Sequence, residues 1–264
     1  MPSFWSLVQN ENMKIYRRLA TWIMLGFVVL TPFGLSALLY AAMGETGPGA
    51  NWSIMRTSSQ VLYFLITIFT VVKASEAVAG EFTWGTIKLL LIRPWRRSTI
   101  LLSKYISTIL FALFFSAVGF IMSFLTSVLF FGYDASGEGL SELVSSPWAY
   151  MLELYALQFI SLIVVVTFGF MMSSAFRSSG LAIGLSIFLL LSGQILSGLF
   201  ALVGKAWIKY VMFMHLDLTS YLYGGFPVPG QETTLGFSIA VLAAYVIVFN
   251  IVSWTVFCKR DVAA

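Results

Sequence analysis

The side chains with most capacity for chemistry do not assemble into a catalytic set. His215 is the only histidine. A serine protease working inside a membrane would need it facing a serine such as Ser186 or Ser192, so that the imidazole could take the hydroxyl proton. His215 instead falls outside any long apolar run, and no G-x-S-x-G elbow is present. A histidine without a chemical role, at a membrane boundary, is the expectation. Metal ligation needs several convergent ligands, and the lone His215 and lone Cys258 fall on opposite sides in the topology derived below. An ATPase needs a glycine-rich loop closing on G-K-S/T. Gly204-Lys205-Ala206 lacks both the preceding glycine spacing and the hydroxyl. The chain is therefore expected to carry no catalytic residue and to bind no metal and no cofactor of its own, its energy coming from another polypeptide or a gradient.

The ionisable residues concentrate elsewhere. Glu76, Glu81, Lys88, Arg93, Arg96, Arg97 and Lys104, with Lys73 just before them, share one stretch of a chain in which 10% of residues are charged. Such a stretch belongs outside the hydrocarbon. Lys73 and Glu76, three apart on a helix, can pair. Residues 81–92 are apolar on nearly every side through Phe82, Trp84, Ile87 and the leucines from Leu89 to Leu91. That suits a short helix set between lipid headgroups and a partner's groove, or an ordinary loop helix. Arg93, Arg96 and Arg97 can equally contact anionic headgroups.

The elements that hold this stretch follow from composition. With 59% hydrophobic residues, 16% aromatic residues and a mean hydropathy of +0.92, the chain is far more apolar than a soluble domain, in which about half the residues are apolar. The net charge of +4 does not point to nucleic acid, because the basic residues flank apolar runs rather than cluster on a soluble face. The predicted fold class is all-α integral membrane, a single domain over 1–264 with spans at about 19–43, 57–79, 105–131, 150–174, 179–203 and 234–257. The first run is too long and too late for a signal peptide and is expected to stay as a span, with a kink at Pro32. Residues 3–18 form an expected interfacial helix, with Phe4, Leu7, Val8 and Ile15 opposite Gln9, Asn10, Lys14 and Arg17. Glu11 falls amid its apolar side, where a bare carboxylate is costly. Either a base from 93–97 meets it or the helix tilts to leave it wet. Residues 204–232, rich in aromatics, read as a re-entrant or interfacial helical segment on the outer side. With both ends inside, 12 of the 15 basic residues are cytoplasmic and only Arg56, Lys205 and Lys209 are outside, so the positive-inside rule places both termini in the cytoplasm.

In order and spacing, Glu81, Gly85-Thr86, Leu89 to Leu91, Pro94 with Arg93, Arg96 and Arg97, and Lys104 opening the third span resemble the signature of the membrane subunits of type-2 ABC transporters, mostly exporters. The resemblance implies that residues 80–98 are a coupling segment. Glu81, Phe82, Gly85, Thr86, Lys88, Leu89, Arg93, Pro94, Arg97 and Lys104 would then contact a separate ATPase. It further implies two permease copies, identical or not, with two ATPase subunits that hold the ATP and Mg, a bacterial plasma-membrane location, and export of cargo such as a peptide antibiotic. A secondary transporter or channel without an ATPase is the alternative. Uncharged polar side chains in the spans are sparse. Gln60, Gln158 and Gln194 fall in the outer half by these boundaries, where they either line an outward cavity or bond between helices. Gly180 and Gly184 form a G-x-x-x-G step that permits close helix approach, within the subunit or across a dimer.

Overall fold

The computed structural model describes residues 4–44, 50–87, 95–135, 140, 146–203, 205–228 and 232–259. Among them the regular structure is helical, and six helices are long and apolar enough to cross a membrane. In chain order the α-helices are α1 (Phe4–Tyr16), α2 (Leu19–Met43), α3 (Ala50–Glu76), α4 (Ala79–Thr83), α5 (Arg97–Phe131), α6 (Pro147–Ala175), α7 (Ser179–Val203) and α8 (Leu235–Lys259). Three short 3-10 turns, Ala206–Tyr210, Met212–His215 and Leu218–Tyr223, stand between α7 and α8.

The bundle is built on α3, α5 and α6. Along α5, buried residues recur every three to four positions and alternate bulk with near-absence of it: Phe111 and Phe115 against Ser107, Ser116, Gly119 and Ser123. Between membrane helices there is little hydrophobic drive, so small residues that let backbones approach supply the packing. The same logic seats α6 on α3. A Cβ placed on Gly169 would come within 3.1 Å of Ser75 Oγ and 3.3 Å of the Val71 carbonyl oxygen, so a side chain here would have to push α3 back by a few tenths of an ångström. Hydroxyl pairs add to the packing, Tyr155 of α6 donating to Ser59 of α3 at 2.9 Å and Ser75 of α3 meeting Ser186 of α7 at 2.9 Å. Helices α2, α7 and α8 are mostly outward-facing, with Leu30, Phe188 and Ile251 among their exposed side chains.

Several boundaries differ from expectation. α3 begins at Ala50, so Arg56 lies inside the helix, its guanidinium 5.5 Å from the Tyr223 ring centre. The same helix stops at Glu76 rather than running on to 79. The Ser173 hydroxyl of α6 accepts the N–H groups of both Val78 and Ala79 at 2.9 Å, which takes those donors out of the α3 ladder and lets α4 start in a new direction. α5 begins at Arg97, so Lys104 does not open a span but lies two turns inside the helix. α2 runs unbroken through Pro32.

Candidate functional site

Glu11 and Lys14 of α1, Glu81 of α4 and Lys104 of α5 come from three separate stretches of sequence but meet at one end of the bundle. Each comes from an element whose position the fold dictates: α1 lies along α5, α4 is turned inward by Ser173, and Lys104 points out of the α5 seam. Lys104 Nζ is 2.7 Å from Glu11 Oε2 and 2.8 Å from Glu81 Oε1, and Lys14 Nζ is 2.8 Å from Glu11 Oε1 and 2.9 Å from the same Glu81 oxygen. The Thr86 hydroxyl donates to the other Glu81 oxygen. Two carboxylates and two ammonium groups thus form a closed square, with the Lys104 side chain 3% exposed. Beside it Arg18 donates to Glu76 at 3.1 Å and stacks 4.0 Å from the Trp84 ring centre, and Lys73 approaches the same Glu76 oxygen at 3.8 Å.

The electrostatics follow from this geometry. Burial by itself would raise the Glu81 carboxyl. Lys104 outweighs that effect through charge and hydrogen bond, with help from Thr86 and Lys14, and Glu81 is lowered from 4.5 to about 2. Glu11 is likewise lowered, burial being overcome by Lys104 and then Lys14, and Lys14 is raised against its own burial by Glu11. Because the folded chain depresses Glu81, the unfolded chain takes up the proton first as pH falls. The resulting stability is present above about 4.5 and is lost on descent toward about 2. Melting temperatures in mild detergent are therefore expected to fall across that window. A Glu81→Gln chain should start lower and show a flatter acid limb.

The coupling residues named from sequence divide. Glu81, Thr86 and Lys104 are brought together, but inward. Phe82 packs partly against the core, Gly85 makes a turn at φ 69° that disfavours any other residue, and Arg97 opens α5 with its guanidinium 3.5 Å from the Cys258 carbonyl. Lys88, Leu89, Arg93 and Pro94 lie outside the described residues. Trp84, 51% exposed, is the large apolar side chain that faces outward among the described residues of this segment. Glu11 is buried rather than wet, and among the described residues its partners are Lys104 and Lys14 rather than Arg96 or Arg97. The carboxylate amid the apolar face of α1 was the signal that a buried base had to exist.

Gln60 and Gln158 line a common cavity of about 400 Å³ between α3, α6, α7 and the 3-10 segment. Gln60 is 13 residues before Lys73 in the sequence, which puts it roughly 20 Å from the ionic square along α3. Tyr63, Thr67, Ser161 and Asp217 share the lining with Phe64 and Phe213. The Gln158 Oε1 atom is buried with no hydrogen-bond partner among the described residues, so it is not the interhelical bond that sequence allowed. The Gln194 side chain lies outside the described residues. Among the described residues, Gly180 and Gly184 seat no neighbouring helix: nothing beyond Ser178 Oγ at 3.9 Å approaches a Cβ on the first, and nothing comes within 4 Å of one on the second.

His215, expected to have no chemical role, is a buried link within the chain. It is fully buried, and burial lowers its basicity against the opposing pull of the Lys209 carbonyl. Nε2–H donates to that carbonyl at 2.7 Å, which leaves Nδ1 to accept from Ser238 at 2.8 Å. With the Ser238 proton so used, the Tyr221 hydroxyl, 2.7 Å away, must donate to Ser238. This chain of bonds ties the 3-10 segment to α8.

Six long apolar helices around a polar cavity and an ionic end-cluster define the class, a multi-pass helical membrane protein. The chain belongs to the family described as "Protein of unknown function (DUF2705)", whose model matches residues 19–263. Two Bacillus subtilis (strain 168) proteins are similar over nearly their whole length. The one described as "Uncharacterized protein YhcI" is 32% identical over 98% of this chain and 99% of its own. The one described as "Uncharacterized membrane protein YdbK" is 30% identical over 95% and 99%. These matches overturn the resemblance to type-2 ABC transporter membrane subunits, because the family that covers the chain is a different one and neither relative is described in those terms. The cause of the error is physical. A boundary carboxylate, a turn glycine, an apolar run and flanking bases are what any loop returning between two spans requires, and here Glu81 and Lys104 are matched to each other.

Proposed function

We propose that this chain is the membrane-spanning subunit of an outward transporter driven by separate ATPase subunits, with two copies of the chain, or this chain and a similar one, forming the pathway. The observation that carries the proposal is the cavity of about 400 Å³ lined by Gln60 and Gln158, with polar and apolar side chains together, among the membrane-crossing helices. Amides and hydroxyls beside Phe64 and Phe213 suit amphipathic cargo. The ionic square supports a driven mechanism. Movement imposed on α4 reaches α1 and α5 through short, buried ion pairs, and a driver can shift the pathway only through an element touching both. In this arrangement both termini and the 76–104 stretch face the cytoplasm of a bacterial cell, α1 lies in the interface, and the 206–223 turns dip into the outer leaflet.

The test is purification of the tagged full chain from its native membranes in mild detergent, followed by an ATPase assay, beside a Trp84→Ala chain. Co-purification of a nucleotide-hydrolysing subunit, weakened at least tenfold by the substitution, is the expected result. A clean preparation with no partner and no ATP turnover overturns it in favour of a gradient-driven transporter or channel.

A further inference from the structure

The ionic end of the bundle encloses a small cavity of about 50 Å³. At roughly 10–15 Å³ per water, it holds three to five water molecules or one small tetrahedral anion. Four cations, Lys14, Arg18, Lys73 and Lys104, and three carboxylates, Glu11, Glu76 and Glu81, line it. All three carboxylates are already doubly engaged: Glu11 and Glu81 by Lys14 and Lys104, Glu76 by Arg18 and Lys73. One positive charge is therefore left over, and the geometry says whose it is. The Lys73 side chain is 5% exposed, and its nearest carboxylate oxygen, 3.8 Å away, is beyond hydrogen-bond reach and already bonded to Arg18 at 3.1 Å. Glu76 is thus a weak, shared partner for an ammonium with three N–H donors. A buried ammonium so poorly supplied with acceptors is costly, and an ionised donor makes its strongest bonds to an oxyanion.

We infer that this cavity is a binding site for a phosphate group carrying one negative charge, held by Lys73 and Arg18 with the Trp84 ring as its outer wall. A phosphate monoanion cancels the surplus charge and supplies the oxygens that Lys73 lacks. Lys73 lies in the last turn of α3, at the end of a span, which is the depth of phospholipid headgroups. The group can thus come from an anionic phosphodiester lipid or from phosphate in solution. The inference does not depend on the chain being a transporter.

The test uses the full chain, delipidated in dodecyl maltoside, a phosphate-free detergent, with thermal unfolding as the readout. Three additions are compared at matched ionic strength: inorganic phosphate against chloride, short-chain phosphatidylglycerol, and short-chain phosphatidylcholine. The native chain is expected to melt about 2–4 °C higher with phosphate or phosphatidylglycerol, and less with phosphatidylcholine, whose choline cancels the headgroup charge. A rise with phosphate means that the free ion suffices; a rise with phosphatidylglycerol alone assigns the site to lipid. Lys73→Met should abolish the response while folding normally, because Glu76 keeps Arg18. Arg96→Gln, at an exposed cation outside the cavity, should retain it. No response in the native chain to either ligand, or a response that survives Lys73→Met, overturns the site.

Discussion

Lys104→Met is expected to lower stability by about 3–5 kcal/mol, the usual result of removing one member of a buried ion pair and stranding the other. In a chain of this size that is a fall in melting temperature on the order of 10 °C. Two carboxylates would then share Lys14 alone, in a place where Glu11 and Glu81 have side chains only 9% and 10% exposed. Lys14→Met makes the informative contrast. Its side chain is 39% exposed, so water can replace much of what it supplies, and about 1 kcal/mol is the expected loss. Adding Glu81→Gln to Lys104→Met should recover part of the deficit, because one stranded charge is removed, and the double-mutant cycle measures the coupling directly. Equal, small losses for the two lysines would show that Lys104 is solvated and that the square does not exist.

His215→Ala should act locally. Deleting a fully buried side chain with two short hydrogen bonds costs about 2–4 kcal/mol through the cavity left and the unpaired Lys209 carbonyl and Ser238 hydroxyl. The loss falls on the segment that His215 ties to α8 rather than on the bundle, since α3, α5 and α6 pack without it. Hydrogen–deuterium exchange is the measurement: amides in 206–223 should exchange at least about tenfold faster, as local opening becomes easier by more than about 1.4 kcal/mol, while those of α5 stay protected. Unchanged exchange in 206–223 would mean that the imidazole does not hold the segment.

What sequence could disclose follows the physics of membranes. Uncharged runs such as those in α2 and α8 must be helices because no other open segment satisfies its backbone in lipid, and so six spans were legible. Polar residues at the ends were harder. Lys104 and Glu81 read as a surface for a partner because sequence distance hides the fact that α4 turns back on α5, and the turn depends on a serine in α6 that no local pattern marks. That Gln60 and Gln158 line one cavity was one of two readings the sequence left open, because an amide in an apolar helix can equally bond to a neighbouring helix. The glycines were less legible: among the described residues nothing packs closely on Gly180 or Gly184, whereas Gly169, in the less conspicuous step Gly169-x-x-x-Ser173, sits against the α3 backbone.

The length of α5 has a mechanical consequence. Its 35 residues make a rod of about 52 Å, against roughly 30 Å of hydrocarbon. A helix so mismatched must lean or protrude, and the bilayer's own thickness sets how much. Because Lys104 fastens the foot of this rod to α1 and α4, leaning moves all three together. Thinner membranes should then make α5 lean further or push its foot outward, and thicker ones bring it upright, changing the angle at which α4 presents Trp84. Lipid chain length becomes a control on this end of the molecule, acting without any ligand.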